Sequence, residues 1–173
     1  MRPREFLERV PSAVRRAVPP GLASFHAGRR FSLVQLWYGN RAIHYEAWLR
    51  SRANTVEVGL HFEADPLTNA RLLAAFRART AQIQDVLGEQ VRIEEWDKGW
   101  ARVWEPSAHE TSDDDALARV ASRLAAYICA LQPILLDELP ADVPWSEPPV
   151  RRSARSARGR HRAGAGTRAK QRR

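Results

Sequence analysis

The chain has 173 residues, 44% of them hydrophobic, and its 28 lysines and arginines against 20 aspartates and glutamates give a formal net charge of +8. This size suits one folded domain with terminal extensions, and the single cysteine, Cys129, excludes an internal disulfide and is expected in the core. Because no apolar run approaches the roughly 20 residues of a membrane span, and acids and prolines interrupt the first residues, we expect no membrane association, no signal peptide and a cytoplasmic location.

Residues 1–30 form a basic segment with mixed structural signals. Phe6, Val10 and Val14 recur at helical spacing, but Pro11 interrupts them, and a Pro-Pro-Gly sequence ends whatever structure precedes it. We therefore expect short helices or loop on the outside of the domain.

Residues 31–40 are rich in residues that favour strands, and Gly39 and Asn40 provide a two-residue turn into the next element. This composition predicts a β-strand. A helix is the alternative, because apolar residues in this stretch also fall three and four positions apart.

The clearest pattern lies between residues 41 and 65, where apolar and polar side chains alternate along two arms. A period of two predicts a β-hairpin with one apolar and one polar face. A turn at residues 52–53 sets the register and places these residues opposite one another: Tyr45 and Leu60, Ala47 and Val58, Leu49 and Val56, His44 and His61.

A helix and a second hairpin follow. Asp65 before Pro66 predicts a capped helix start, and Gly88 predicts the helix end. Between residues 91 and 105 a three-residue loop closed by Gly99 predicts a hairpin with these cross-strand pairs: Ile93 with Val103, Glu95 with Ala101, Glu94 with Arg102, Arg92 with Trp104, and Trp96 with Trp100.

The last predicted element is a second long helix, capped by Thr111 and Ser112 and ending or bending at Pro133. The resulting order βββ-α-ββ-α predicts an α+β fold, in which two long helices cover one face of an antiparallel sheet of about five strands as a two-layer sandwich. We expect the domain at residues 31–139, a Pro-rich linker at 140–150 and a disordered tail at 151–173.

The charge is divided unevenly along the chain. Residues 1–30 carry a net +5, residues 31–150 a net −7, and residues 151–173 a net +10 with no acid. Attraction to nucleic acid or to an acidic partner therefore belongs to the tail, through these residues: Arg151, Arg152, Arg155, Arg158, Arg160, Arg162, Arg168, Lys170, Arg172 and Arg173.

A repeated His-x-Glu pattern places His44, Glu46, His61 and Glu63 on the polar face of the central hairpin. Two imidazoles and two carboxylates form a candidate site for Zn²⁺ or Mn²⁺. The alternative is an ordinary solvent-facing strand surface. A nuclease would also need clustered acids and a lysine, which Glu94, Glu95, Asp97 and Lys98 supply; solvated edge and turn residues are the simpler interpretation.

Four tryptophans fall on the polar faces of their strands, namely Trp48, Trp96, Trp100 and Trp104. Exposed tryptophan beside arginine is typical of a protein interface, so a partner or a homodimer is expected there. The alternatives are cover by the N-terminal segment or by the stretch around Trp145, and stacking on single-stranded bases.

Four segments of this sequence carry a resemblance to a known family: YEAWL, VEVGLHFE, DVLGEQVRIEEW and GWARVWE. Over about residues 40–135 their order resembles a bacterial domain family of unknown function that is sometimes found beside restriction-endonuclease-like modules. The resemblance implies the fold and an association with DNA-acting systems, and it implies no catalytic residues. The arginine-rich tail is not part of it.

These observations predict a non-enzymatic binding module without a cofactor, whose basic tail contacts nucleic acid or an acidic protein. The alternative is a metal-dependent nuclease or hydrolase that uses the His44, Glu46, His61 and Glu63 face.

Overall fold

A computed structural model describes residues 1–50, 52–53, 55–108, 114–139 and 141–145. Within these residues the fold is α+β, with four α-helices and a six-stranded antiparallel sheet. The elements in chain order are α1 Pro3–Ala17, β1 His26–Arg30, β2 Leu33–Trp37, β3 Ile43–Arg50, β4 Thr55–Phe62, α2 Pro66–Ala78, α3 Thr80–Leu87, β5 Arg92–Glu95, β6 Ala101–Ala108 and α4 Asp114–Glu138. The predicted tail and the predicted cap at Thr111 and Ser112 lie outside the described residues.

The strands are ordered β1-β2-β3-β4-β6-β5, so β1 and β5 form the two edges. Both predicted hairpin registers are confirmed. His44 lies opposite His61 and Tyr45 opposite Leu60 in the first hairpin, and Glu94 lies opposite Arg102 in the second. Gly99 has a φ of 73°, as the predicted loop requires.

The helices pack on the apolar face of the sheet, which we call the helix face. Tyr45 donates a hydrogen bond to Gln132 on α4, and Glu105 on β6 pairs with Arg123 on the same helix. The core between the sheet and the helices includes these residues, each at most 2% exposed: Ile43, Tyr45, Val58, Leu60, Leu72, Phe76, Ile83, Leu124, Ile128 and Leu131.

The expectation of short outer helices or loop in residues 1–30 is wrong. α1 runs through Pro11 for 15 residues and packs against α4 and β2. Its buried side chains include Phe6, Leu7, Val10 and Val14. Burying four such side chains stabilises by roughly 1.5–3 kcal/mol each, which outweighs the roughly 3 kcal/mol that an internal proline costs.

Three further expectations need correction. The helix after Asp65 is divided at Arg79 into α2 and α3, and α4 continues through Pro133 to Glu138. Cys129 is exposed on α4 and does not belong to the core.

α4 is long and apolar enough to cross a membrane by length and composition alone, but 56% of its most apolar window is buried inside the fold. Burial in the core thus explains much of its hydrophobicity.

Candidate functional site

The face of the sheet opposite the helices, which we call the polar face, is more buried than its sequence suggests. His44, Glu46 and His61 are 1%, 4% and 3% exposed, respectively. The interpretation of this surface as an ordinary solvent-facing strand face is therefore wrong for these three side chains. Buried ionisable groups need partners, so their surroundings determine what this face does.

Long side chains of the sheet itself exclude water from the polar face. The guanidinium of Arg102 lies 3.7 Å from the ring centre of Trp104, and that of Arg50 lies 4.1 Å from the ring centre of Trp48. Arginine over an indole combines a cation–π contact with apolar contact along the methylene stem. A layer of arginine over tryptophan therefore covers part of this face.

Arg102 links three strands through its charges. It pairs with Glu57 on β4 at 3.2 Å and with Glu94 on β5 at 2.8 Å. Glu94 also accepts a hydrogen bond of 2.7 Å from the indole of Trp104. The cross-strand pair that the sequence predicted is thus one part of a larger ionic network.

Gly59 makes room for the Trp104 side chain of this network. It lies opposite Trp104 in the β4–β6 register. A Cβ at residue 59 would lie 2.7 Å from the Cβ of Trp104 and 2.6 Å from the carbonyl oxygen of Val103. Any larger residue would therefore push the two strands apart.

The centre of the polar face is a cluster of histidine and glutamate. The rings of His44 and His61 lie parallel, with centres 5.5 Å apart and 11° between their planes. His61 Nδ1 lies 3.8 Å from Glu63 Oε1. One nitrogen from each imidazole and one carboxylate oxygen of Glu63 all lie within 4.8 Å of one another. The structure therefore brings three of the four residues predicted from the His-x-Glu pattern close enough together to be ligands of one metal ion.

Glu46, the fourth, lies beside His44. Its Oε2 is 3.4 Å from His44 Nε2 and accepts a hydrogen bond of 3.2 Å from Gln35. Burial would raise the pKa of Glu46, but the contacts with His44, His61 and Gln35 favour the ionised form, and the net shift is downward. Glu46 therefore carries a buried negative charge next to the two imidazoles.

The hydrogen bonds around Gln35 define the tautomer of His44. Arg41 donates to Gln35 Oε1, so the amide nitrogen of Gln35 faces His44 Nε2 at 3.0 Å. His44 Nδ1 lies 2.8 Å from the carbonyl oxygen of Arg41, which can only accept. We infer that Nδ1 carries the proton and that the lone pair of Nε2 accepts a hydrogen bond from the Gln35 amide.

His61 is neutral. Burial lowers its pKa to about 3, although the negative charge of Glu46 acts in the opposite direction. Its Nδ1 is fully buried and has no hydrogen-bond partner within the described residues. Burial also raises the pKa of the nearby Glu63 carboxyl.

A cavity of about 440 Å³ opens beside this cluster, and it is lined by Arg30, Gln35, Arg41, Ala42, His44 and Glu63. Gln35, Arg30 and Arg41 did not appear among the residues predicted for the site. The signal for Gln35 was present, because a strand over residues 31–40 paired with the central hairpin places it beside Glu46. β1, which contributes Arg30, has no alternating pattern.

The four tryptophans lie on the polar face as the alternation predicts, but they are only partly open. Trp104 is 7% exposed, and Trp48, Trp96 and Trp100 are half-buried. Cover by the N-terminal segment is wrong, because α1 packs with α4 on the helix face.

The stretch around Trp145 also contacts a different part of the molecule. Trp145 lies against Gly39 in the turn between β2 and β3. In the described residues the cover of the tryptophans comes from arginines of the sheet.

The acids of the second hairpin are distributed over different surfaces. Glu94 belongs to the polar face through Arg102, whereas Glu95 lines a hollow next to Asn69 and Arg77 on α2. The side chain of Lys98 lies outside the described residues. The structure therefore does not bring Glu94 and Glu95 together as a catalytic pair.

Comparison with known proteins found no matching family model, no matching curated protein and no matching solved structure. The resemblance to a bacterial domain family therefore stays a prediction from the residues that carry it.

Proposed function

We propose that this protein is a non-catalytic module that binds nucleic acid, with its basic tail as the contact. The observation that carries the proposal is the charge of residues 151–173, which contain ten basic residues and no acid. Such a segment neutralises phosphates and releases their counterions, which gives affinity without sequence preference. A cytoplasmic location in a bacterial cell follows from the same proposal and can be checked by cell fractionation.

The geometry of the last described residues supports this proposal. Asn40 donates a hydrogen bond of 3.0 Å to the carbonyl oxygen of Pro144, and Trp145 packs against Gly39. Arg151 follows six residues later, and six residues of chain reach at most about 20 Å. The last described part of the chain therefore lies beside the turn between β2 and β3, at the same end of the sheet as Arg41.

The arginines of the polar face add little to phosphate binding, because several are already engaged. Arg102 is paired with Glu57 and Glu94, and Arg50 is paired with Glu57. Residues 31–150 as a whole are net negative and repel a phosphate backbone. The affinity should therefore reside almost entirely in the tail.

The test is fluorescence anisotropy with labelled DNA and RNA oligonucleotides at low salt. A full-length variant with the ten basic tail residues changed to glutamine should lose binding, as should a chain that ends at residue 150, whose net charge is −2. For the wild type, log affinity should fall linearly with log salt and by several decades between about 50 and 200 mM. Thermal unfolding serves as the control and should hardly change in either variant.

Two outcomes would overturn the proposal. Oligonucleotide binding that survives in both tail variants would assign the contact to the tryptophans of the polar face. Binding to polyglutamate, with no binding to nucleic acid, would assign the tail to an acidic protein partner.

A second candidate function is self-association through the polar face. No helix layer covers this face among the described residues, and it combines tryptophans with arginines and glutamates of both charges, a composition that suits a two-fold symmetric contact. Light scattering over a range of concentrations should show a dimer that is lost when Trp48 and Trp100 are changed to glutamine. A monomer at every concentration would contradict this candidate.

The metal-dependent nuclease or hydrolase remains the catalytic alternative, with His44, Glu46, His61 and Glu63 as its residues. Oligonucleotides that stay intact during incubation with the protein and Zn²⁺ or Mn²⁺ support binding alone. Cleavage that disappears in His61→Gln would support the hydrolase.

A further inference from the structure

We infer that His44, His61 and Glu63 form a binding site for a divalent cation, with Zn²⁺ as the preferred ion. This inference is independent of the tail and of nucleic-acid binding. It concerns the centre of the polar face, and it requires no catalytic activity.

The distances between the donor atoms fit a site that closes around a small ion. At Zn–N and Zn–O distances near 2.0–2.1 Å, tetrahedral ligands lie about 3.3 Å from one another. The 3.8 Å between His61 Nδ1 and Glu63 Oε1 exceeds this by about half an ångström, and the whole set of donors lies within 4.8 Å. Small side-chain rotations therefore suffice to bring all three donors onto one ion.

The second, independent observation is the state of His61. Its Nδ1 has no hydrogen-bond partner in the part of the chain that the structure describes, and the residue is only 3% exposed. The contact with Glu63, at 3.8 Å, is too long for a hydrogen bond. A metal ion would satisfy this nitrogen and the charge of the carboxylate together.

The residues around the donors already have the arrangement that metal sites use. The carbonyl oxygen of Arg41 accepts a hydrogen bond from His44 Nδ1, which fixes the ring and leaves Nε2 unprotonated. An ion at Nε2 takes the place of the hydrogen bond that Gln35 donates there. Glu46 adds a buried negative charge 3.4 Å from His44 Nε2. Two neutral imidazoles with carboxylate ligands suit Zn²⁺ better than Mg²⁺ or Ca²⁺, which prefer oxygen donors.

The adjoining cavity provides an entry path. It has a volume of about 440 Å³, and His44 and Glu63 are among its lining residues. Glu63 has 22% of its side chain exposed, so it can move onto an ion that arrives from this side. With three protein ligands, the fourth tetrahedral position remains for water or an anionic group.

Ion binding must change the histidine stack. Two rings whose planes differ by only 11° and whose centres are 5.5 Å apart do not both direct their in-plane lone pairs at one point. At least one ring must therefore rotate. Trp96 packs edge-on against His61, with ring centres 5.9 Å apart, so its fluorescence should report that rotation.

The experiment is isothermal titration of the full-length, chelator-treated protein with ZnCl₂, followed by the same titration of variants. The wild type should bind one Zn²⁺ per chain with micromolar or tighter affinity, and binding should change the tryptophan emission. Glu63→Gln and His61→Gln should weaken binding by about 100-fold or more. His26→Gln is the matched control, because His26 is exposed on β1 outside the cluster, and it should bind as the wild type does.

Cobalt binding keeps the inference testable if His61→Gln does not fold. Co²⁺ in a tetrahedral site with nitrogen and oxygen ligands gives visible absorption bands, which Glu63→Gln should remove without loss of the folded state. An absence of Zn²⁺ binding by the wild type would overturn the inference. So would unchanged affinity in Glu63→Gln, because the ion would then lie elsewhere.

Discussion

The two faces of the sheet are both buried, but by different means. On the helix face, apolar side chains such as Tyr45 and Leu60 are covered by helices and lie within 1% of complete burial. On the polar face, His44 and His61 reach nearly the same burial by stacking on each other and against Trp96, whose ring lies under the guanidinium of Arg102. The difference shows that a long charged side chain can replace a layer of secondary structure as the cover of a strand.

The two kinds of burial have different energetic consequences. Burial of an apolar face stabilises the fold in proportion to the apolar area removed from water, whichever apolar residues cover that face. A polar face depends on each partner being present, because an unpaired buried charge or hydrogen-bonding group is costly. The helix face should therefore respond to side-chain volume, and the polar face to pH and to hydrogen-bond geometry.

The largest expected effect is on the helix face. Leu60 is fully buried, and Leu60→Ala should lower the free energy of unfolding by about 2–5 kcal/mol, because the lost contacts leave a cavity. Urea denaturation measures this. The same substitution at Leu67, which is 58% exposed on α2, is the matched control and should change stability by less than about 0.5 kcal/mol. Similar losses at both positions would contradict the difference in burial.

The second effect tests the polar face through pH, in the presence of a chelator. Burial lowers the pKa of His61 from 6.5 to about 3 in the folded protein, so below pH 6.5 the unfolded chain binds a proton that the folded chain does not. Stability should fall as pH decreases from 6.5 toward 3, by about 3 kcal/mol between pH 7 and pH 4. Urea denaturation of His61→Gln over the same pH range separates the contribution of His61 to this loss of stability from that of the carboxylates. An identical pH slope in both proteins would show that His61 accepts a proton while folded.

The smallest of these effects concerns hydrogen-bond geometry. Arg102→Lys keeps the charge but loses the planar contacts with Glu57, Glu94 and Trp104, and it should cost about 1–2 kcal/mol. Arg119→Lys on the exposed side of α4 is the control and should be nearly neutral. Equal thermal stability of the two variants would mean that charge alone holds the polar face together.

Much of the fold could be predicted from the sequence because local rules and tertiary packing agree there. The alternation around His44 and His61 and the capped start at Asp65 lead to the observed register and helix start. α1 and β1 could not be predicted, because tertiary packing decides both. Pro11 is tolerated only because its neighbours are buried, and residues His26–Arg30 form a strand only by pairing with β2.

The candidate site was predictable in part. A hydrophobic period of two places His44, Glu46, His61 and Glu63 on one face of the sheet. The period does not determine whether that face is exposed to solvent. Its burial depends on Arg41 and Arg102, whose side chains cover aromatic rings. These contacts depend on side-chain length and on the pairing of β4 with β6, which has no local signature in the sequence.

The strands at the two ends of the sheet also determine how this protein behaves at high concentration. β1 and β5 are five and four residues long, and both carry exposed charged residues, among them Arg30, Arg92 and Glu95. Short charged edges are poor templates for an incoming strand from another chain. Open-ended growth into fibres is therefore disfavoured at both ends, even though the interior strands are rich in the aromatic and branched residues that amyloid-forming segments share.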